Sequence, residues 1–225
     1  MRLHFVVEGQ TEETFVRDVL RSELASQGIF CDARRIKTGR KGGKDHRGGL
    51  VSFQHLRNDL ELWMKQDSGA DSWFTTMVDL YRLPSDFPGI TESRAHTDPI
   101  EKGELLEARF SGNLNHPRFV PYIQLHEFEA LLFSDPQSFS IAFPSVSTAQ
   151  LAELQAIRSA FNTPEHIDEG NDTSPSKRIC GLLPQYVEPL SGPLIAKQIG
   201  LAKMRAECHH FNGWLERLEA AELHL

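Results

Sequence analysis

Three apolar runs end on, or run directly into, an acid. Glu8 closes the run Leu3–Val7, Asp79 closes "WFTTMV", and Glu127 follows "RFVPYIQLH". Glu12 stands one helical turn after Glu8 and can point back over the same strand end. Carboxylates gathered in one crevice repel one another, and some are driven to protonate unless a cation joins them. Oxygen donors without clustered His or Cys suit Mg2+ or Mn2+ rather than zinc. Gly9 would permit a sharp turn and let a ligand approach the backbone. The competing reading is that Glu8 only caps the next helix and Gly9 only turns the chain.

A second stretch could hold an anion. In "NDTSPSKRI", Ser174 and Pro175 are an N-cap and first helical residue, which places Lys177 and Arg178 in the first turn. Free N–H groups, the positive end of the helix dipole and two cations suit a phosphate, with Lys177 placed to stabilise developing charge. A third stretch is basic. Residues 34–47 hold seven Lys/Arg against one Asp, so in a chain of net charge −7 the remainder carries −13. Arg40, Lys41 and Lys44 lie there, either on a phosphate-gripping arm or on a solvated loop.

Other chemistry finds little support. "HEFE" is not the HExxH of a zinc protease, and no Walker A, GxGxxG or GxSxG pattern occurs. His209-His210 reads as a solvated helical pair. Cys31, Cys180 and Cys208 are scattered and odd in number, which points to reduced thiols in a cytoplasm. No apolar run is long enough to span a membrane, so a soluble cytoplasmic protein is expected. With 225 residues, 40% hydrophobic and 24% charged, the chain can bury one sizeable core.

The elements that must position these residues alternate. Leu3–Glu8, Ile29–Ile36, Trp73–Asp79 and Arg118–Leu125 read as strands. A helix capped by Thr11 and stopped by Gly28, a second from Leu50 to Met64, and a third around Ile100–Phe110 lie between them. This order predicts an α/β fold, a Rossmann-like, mostly parallel sheet flanked by helices, with ligands beyond the carboxyl ends of the strands. Residues 1–145 form the α/β domain, and 146–225 form a mostly helical part packed on it. Leu201, Met204, Cys208, Phe211, Leu215 and Leu218 mark one C-terminal helix, read as packing on the domain, with Gly213 weakening its middle. A homodimer through that helix is the other reading.

The motifs bear a resemblance. "VVEGQTEETF" resembles the first motif of Toprim domains, in particular those of the OLD-family (overcoming-lysogenisation-defect) nucleases, where a strand ends in E-G-x-x-E. "VEGQTEETF", "VDLYRLPSDFPG", "PYIQLHEFEALLFSD" and "NDTSPSKRI" together resemble more closely an uncharacterised bacterial family, domain of unknown function 4276. That family is Toprim-like and often encoded beside ATPases in phage-defence neighbourhoods. The likeness covers about residues 3–180. It implies metal-ligand or acid/base roles for Glu8 and Glu12, and it matches Asp79 to the first acid of the Toprim D-x-D. Tyr81 replaces the second acid, which bears on whether two metals bind. Glu127 and Glu129 both match the later S-x-E acid, and Lys177 the late basic residue. The implied activity is Mg2+- or Mn2+-dependent hydrolysis of DNA or RNA. The alternative is a non-catalytic subunit that binds an ATPase or a nucleotide, and a small-molecule phosphohydrolase is a third reading.

Overall fold

The computed structural model describes residues 1–36, 38–41, 44–46, 50–168 and 172–222, with side chains for all of these except 38–41, 44–46 and 222. Among them the strands run β1 (Arg2–Val7), β2 (Phe30–Arg35), β3 (Thr38–Lys41), β4 (Lys44–His46), β5 (Ser72–Asp79), β6 (Phe119–Val120) and β7 (Ile123–Gln124). The main sheet has the order β2-β1-β5-β6, with β7 also on β5, and every pair in it is parallel. The fold is α/β, a parallel sheet flanked by helices.

Strand periodicity divides the core. Leu3, Phe5 and Val7 of β1 enter one hydrophobic cluster, while Val6 enters the other. The smaller cluster lies under α3 (Phe53–Gln66) and α4 (Pro99–Leu114), through Leu56, Leu60, Trp63, Leu106 and Phe110. On the larger side, α1 (Gln10–Phe15) passes through a π-helical turn, Val16–Leu20, into α2 (Arg21–Ala25). Gly28, at φ 81, then turns the chain, a conformation that disfavours residues with a Cβ.

The same side takes the 3-10 segment Phe128–Ser134 and the rest of the helices. These are α5 (Phe139–Ala142), α6 (Thr148–Ser159), α7 (Pro175–Leu182), α8 (Glu188–Ile199), α9 (Leu201–Glu207) and α10 (His209–Glu222). The C-terminal stripe is buried in the cluster that holds Leu3 and Phe5, so it packs on the sheet. Trp214 fixes the dock: its ring stacks on Tyr122 at 4.1 Å, and its Nε1 donates to Thr75 Oγ1 at 2.9 Å.

Several expectations need correction. The first helix begins two residues early: Gly9 is its N-cap and Thr11 lies inside the first turn. Leu50 precedes α3, whose N-cap is Ser52. The strand expected over Arg118–Leu125 is two pieces, because Pro121 has no N–H to give the ladder. Thr76 bridges the gap, its hydroxyl accepting from Tyr122 N (3.1 Å) and donating to Tyr122 O (3.0 Å). The C-terminal helix breaks at Cys208, where the backbone is extended, and not at Gly213. Residues 38–46 are not all loop, since β3 and β4 pair antiparallel there. His210 is buried, 3.1 Å from Glu107, while His209 is exposed, so only one of the two histidines is solvated as expected. The pattern did not reveal α8, which carries Pro193 inside it.

Candidate metal centre at the strand ends

Parallel pairing brings Glu8 and Asp79 together. Val7 lies opposite Met77, so β1 and β5 end side by side, and Asp79 N donates to Glu8 Oε2 at 3.2 Å. Glu12, in the first turn of α1, reaches back and accepts from Gly9 N at 2.8 Å. Gly9 matters here through space rather than turning. Its φ of −141 is open to any residue, but a Cβ there would stand 3.1 Å from Glu12 Oε2.

The next segment adds two acids with separate anchors. Glu127 is extended and caps the 3-10 segment, and its Oε1 accepts from Ser176 N at 2.5 Å. Thus Glu127, rather than the Ser174 side chain, closes the first turn of α7. Glu129, on the first turn of the 3-10 segment, accepts from the Tyr186 hydroxyl at 2.8 Å. With Glu8, Glu12 and Asp79 they line a crevice of about 520 Å³, joined by Glu188 from the start of α8 and by Arg35 and Arg82.

Burial sets the electrostatics. Glu8, Glu12, Asp79 and Glu129 are each at most 8% exposed. Desolvation lifts Glu129 to about 8 and Glu12 to about 7, with Glu188 adding to the first and Glu8 to the second. Asp79 is held well above the usual carboxylate range by burial and then by Glu12 and Glu8, and burial raises Glu8 too. Asp79 Oδ1 is buried, with no hydrogen-bond partner among the described residues. The donor set is oxygen alone, and six acids on the crevice face only two arginines, which fits a hard divalent cation. Among the described residues no three acid, His or Cys side chains are arranged to hold an ion as placed. The acids surround the crevice rather than converge on one point.

The basic candidates fall differently. Lys177 pairs with exposed Asp172 at 3.2 Å, and Arg178 donates to Thr173 O at 2.6 Å with its guanidinium over Phe161. Neither lines the crevice. The side chains of Arg40, Lys41 and Lys44 lie outside the described residues. Sequence reasoning missed Arg82, 3.7 Å from Glu8 Oε1, and Arg35, paired with Glu13 at 3.0 Å. Arg35 ends β2, and only knowledge that β2 adjoins β1 could have found it. Arg82, three residues beyond Asp79, was the more visible of the two. Glu188 could be found only with α8.

Comparison with known proteins gives a family and two likenesses. The family model described as Domain of unknown function (DUF4276) matches residues 7–219. No curated protein sequence matches the chain. The C-terminal region of the Burkholderia pseudomallei OLD protein is similar at 14% identity, with TM-score 0.45 over 97% of each chain. The C-terminal region of the Xanthomonas campestris pv. campestris OLD protein is similar at 15% identity, with TM-score 0.42 over 99% of this chain and 96% of that one.

Proposed function

The chain belongs to the DUF4276 family, and from the acids at its strand ends we propose that it is a Mg2+- or Mn2+-dependent phosphodiesterase acting on DNA or RNA. The observation that carries this reading is the meeting of Glu8 and Asp79, buried together with an orphaned Asp79 oxygen. Glu8, Glu12, Asp79, Glu127 and Glu129 would hold the cation. Once bound, such an ion neutralises phosphate charge and lowers the pKa of water.

The side chains supply the rest. Glu12, which reaches back over the strand end from the first turn of α1, would ligate the cation or position the attacking water. Arg82 and Arg35, on the crevice wall, would orient a phosphate that the acids alone would repel. Lys177 and Arg178, at the start of the helix that Glu127 caps, would contact phosphates beyond the crevice. Arg40, Lys41 and Lys44 are proposed as further backbone contacts.

Asp79→Asn and Glu8→Gln should each lower Mn2+-dependent nicking of plasmid or cleavage of RNA at least about 100-fold. Activity surviving in both variants would remove the crevice from the reaction. A second reading, a non-catalytic subunit that binds an ATPase or a nucleotide, draws on Tyr81 in place of a second strand-end acid. Its hydroxyl is bonded to Asp168 rather than turned to the crevice. Mn2+ that neither supports cleavage nor raises the melting temperature would favour it.

A further inference from the structure

A second cavity, of about 500 Å³, opens on the far side of the turn that follows Asp79. That volume suits a small-molecule pocket. Two chain segments form a common wall with the acidic crevice. Asp79 and Arg82 face the crevice while Tyr81 faces the cavity, and Glu127 faces the crevice while His126 faces the cavity. Neighbouring residues, whose Cα atoms are about 3.8 Å apart, thus serve the two spaces.

The wall is unusual in its backbone. His126 sits at φ 59, a left-handed conformation that side-chain-bearing residues hold only where their surroundings enforce it. Its carbonyl accepts from Tyr81 N at 3.1 Å, and the two rings lie 5.5 Å apart. Tyr81 is 45% exposed and its hydroxyl is engaged by Asp168, so the ring face is what it offers a ligand. Leu80, Leu83 and Pro99 add apolar surface, and Ser93, Thr97 and Lys102 add polar groups.

We propose that this cavity receives the nucleobase of the nucleotide whose phosphodiester lies in the acidic crevice, with Tyr81 as its stacking surface. The inference rests on the reading of the crevice as a phosphodiester site. A flat ring with apolar faces and a polar edge matches an aromatic face rimmed by hydroxyls and a lysine. A nucleotide that crosses the rim of the shared wall would place its base in one space and its phosphate in the other. It also gives Tyr81 a role that a second strand-end carboxylate could not fill.

The test is calorimetric titration of the metal-free protein with adenosine, guanosine, cytidine and uridine, which carry no phosphate. At least one nucleoside should bind with a Kd near or below about 1 mM. Tyr81→Ala should weaken it about tenfold, Tyr81→Phe should stay within about twofold, and Thr97→Trp should block it by filling the cavity. Glu8→Gln should leave it unchanged. Absence of nucleoside binding, or binding that Tyr81→Ala and Thr97→Trp leave intact, overturns the proposal. Nucleoside binding without metal-dependent cleavage keeps the base site and removes the phosphodiesterase reading. Cleavage without nucleoside binding, with abasic and intact oligonucleotides cut alike, does the reverse.

Discussion

Buried acids occur in two regions of this molecule and are treated in opposite ways. Under the C-terminal helices, Glu165 is fully buried and accepts from His210 N at 3.0 Å and Phe211 N at 2.9 Å, closing the first turn of α10. Glu107 accepts from Ile123 N and Arg217, each at 2.9 Å, with His210 at 3.1 Å. At the strand ends Asp79 is buried too, yet its Oδ1 has no donor among the described residues and the groups acting on it include four other acids. Burying a charge is expensive unless partners replace water. The first region gives its acids donors from the chain and a cation or His beside them, whereas the second sets acid against acid and leaves one Asp79 oxygen without a donor among the described residues. That contrast, more than the count of acids, is the ground for proposing the strand ends as the site.

The contrast can be broken most directly by melting variants without metal. Glu165→Ala should lower stability by about 3 kcal/mol, because it orphans two buried N–H groups at a helix start. Asp79→Asn should lower it by less than about 1 kcal/mol or raise it, because it relieves repulsion among acids. Equal losses in the two variants would erase the distinction between the regions.

The pH profile should show the same asymmetry on a somewhat smaller scale. Glu12 and Glu129 have folded pKa values raised to about 7 and about 8, above the ordinary carboxylate range. Their contribution to stability is therefore fully present at pH 4.5 and below and is lost as pH rises through 7 and 8. Through Glu12 alone the metal-free protein should lose on the order of 2 kcal/mol between pH 5.5 and 7. Chemical denaturation across that range reads it, and Glu12→Gln should flatten the slope. A slope unchanged by that substitution would mean that the acids are not strained.

The smallest expected effect separates the two sets of cations. Arg82→Ala should reduce cleavage about tenfold and Lys177→Ala less than about threefold, since Arg82 lines the crevice and Lys177 pairs with Asp172 outside it. The reverse order in a kinetic assay would return the phosphate contact to α7.

What the sequence made legible follows from what lies local to it. An apolar run and the acid that ends it are neighbours in the chain, so Glu8, Asp79 and the parallel sheet could be read directly. Glu12 could be read from one turn of helix. The partners that complete the crevice depend on which strands adjoin and on where distant helices start, so Arg35 and Glu188 stayed hidden. The breaks at Pro121 and Cys208 were missed because apolar periodicity runs straight through both, and only the backbone pairing interrupts. Lys177 was correctly placed in a first turn, but the direction of that turn is set by Glu127 from another segment.

Glu127 therefore answers to two demands at once. Its carboxylate faces the crevice and also completes the opening turn of α7, so a cation held there as proposed would draw on a group that a backbone N–H already uses. Filling of the crevice, if it takes Glu127, would then be felt at the start of the helix that carries Lys177.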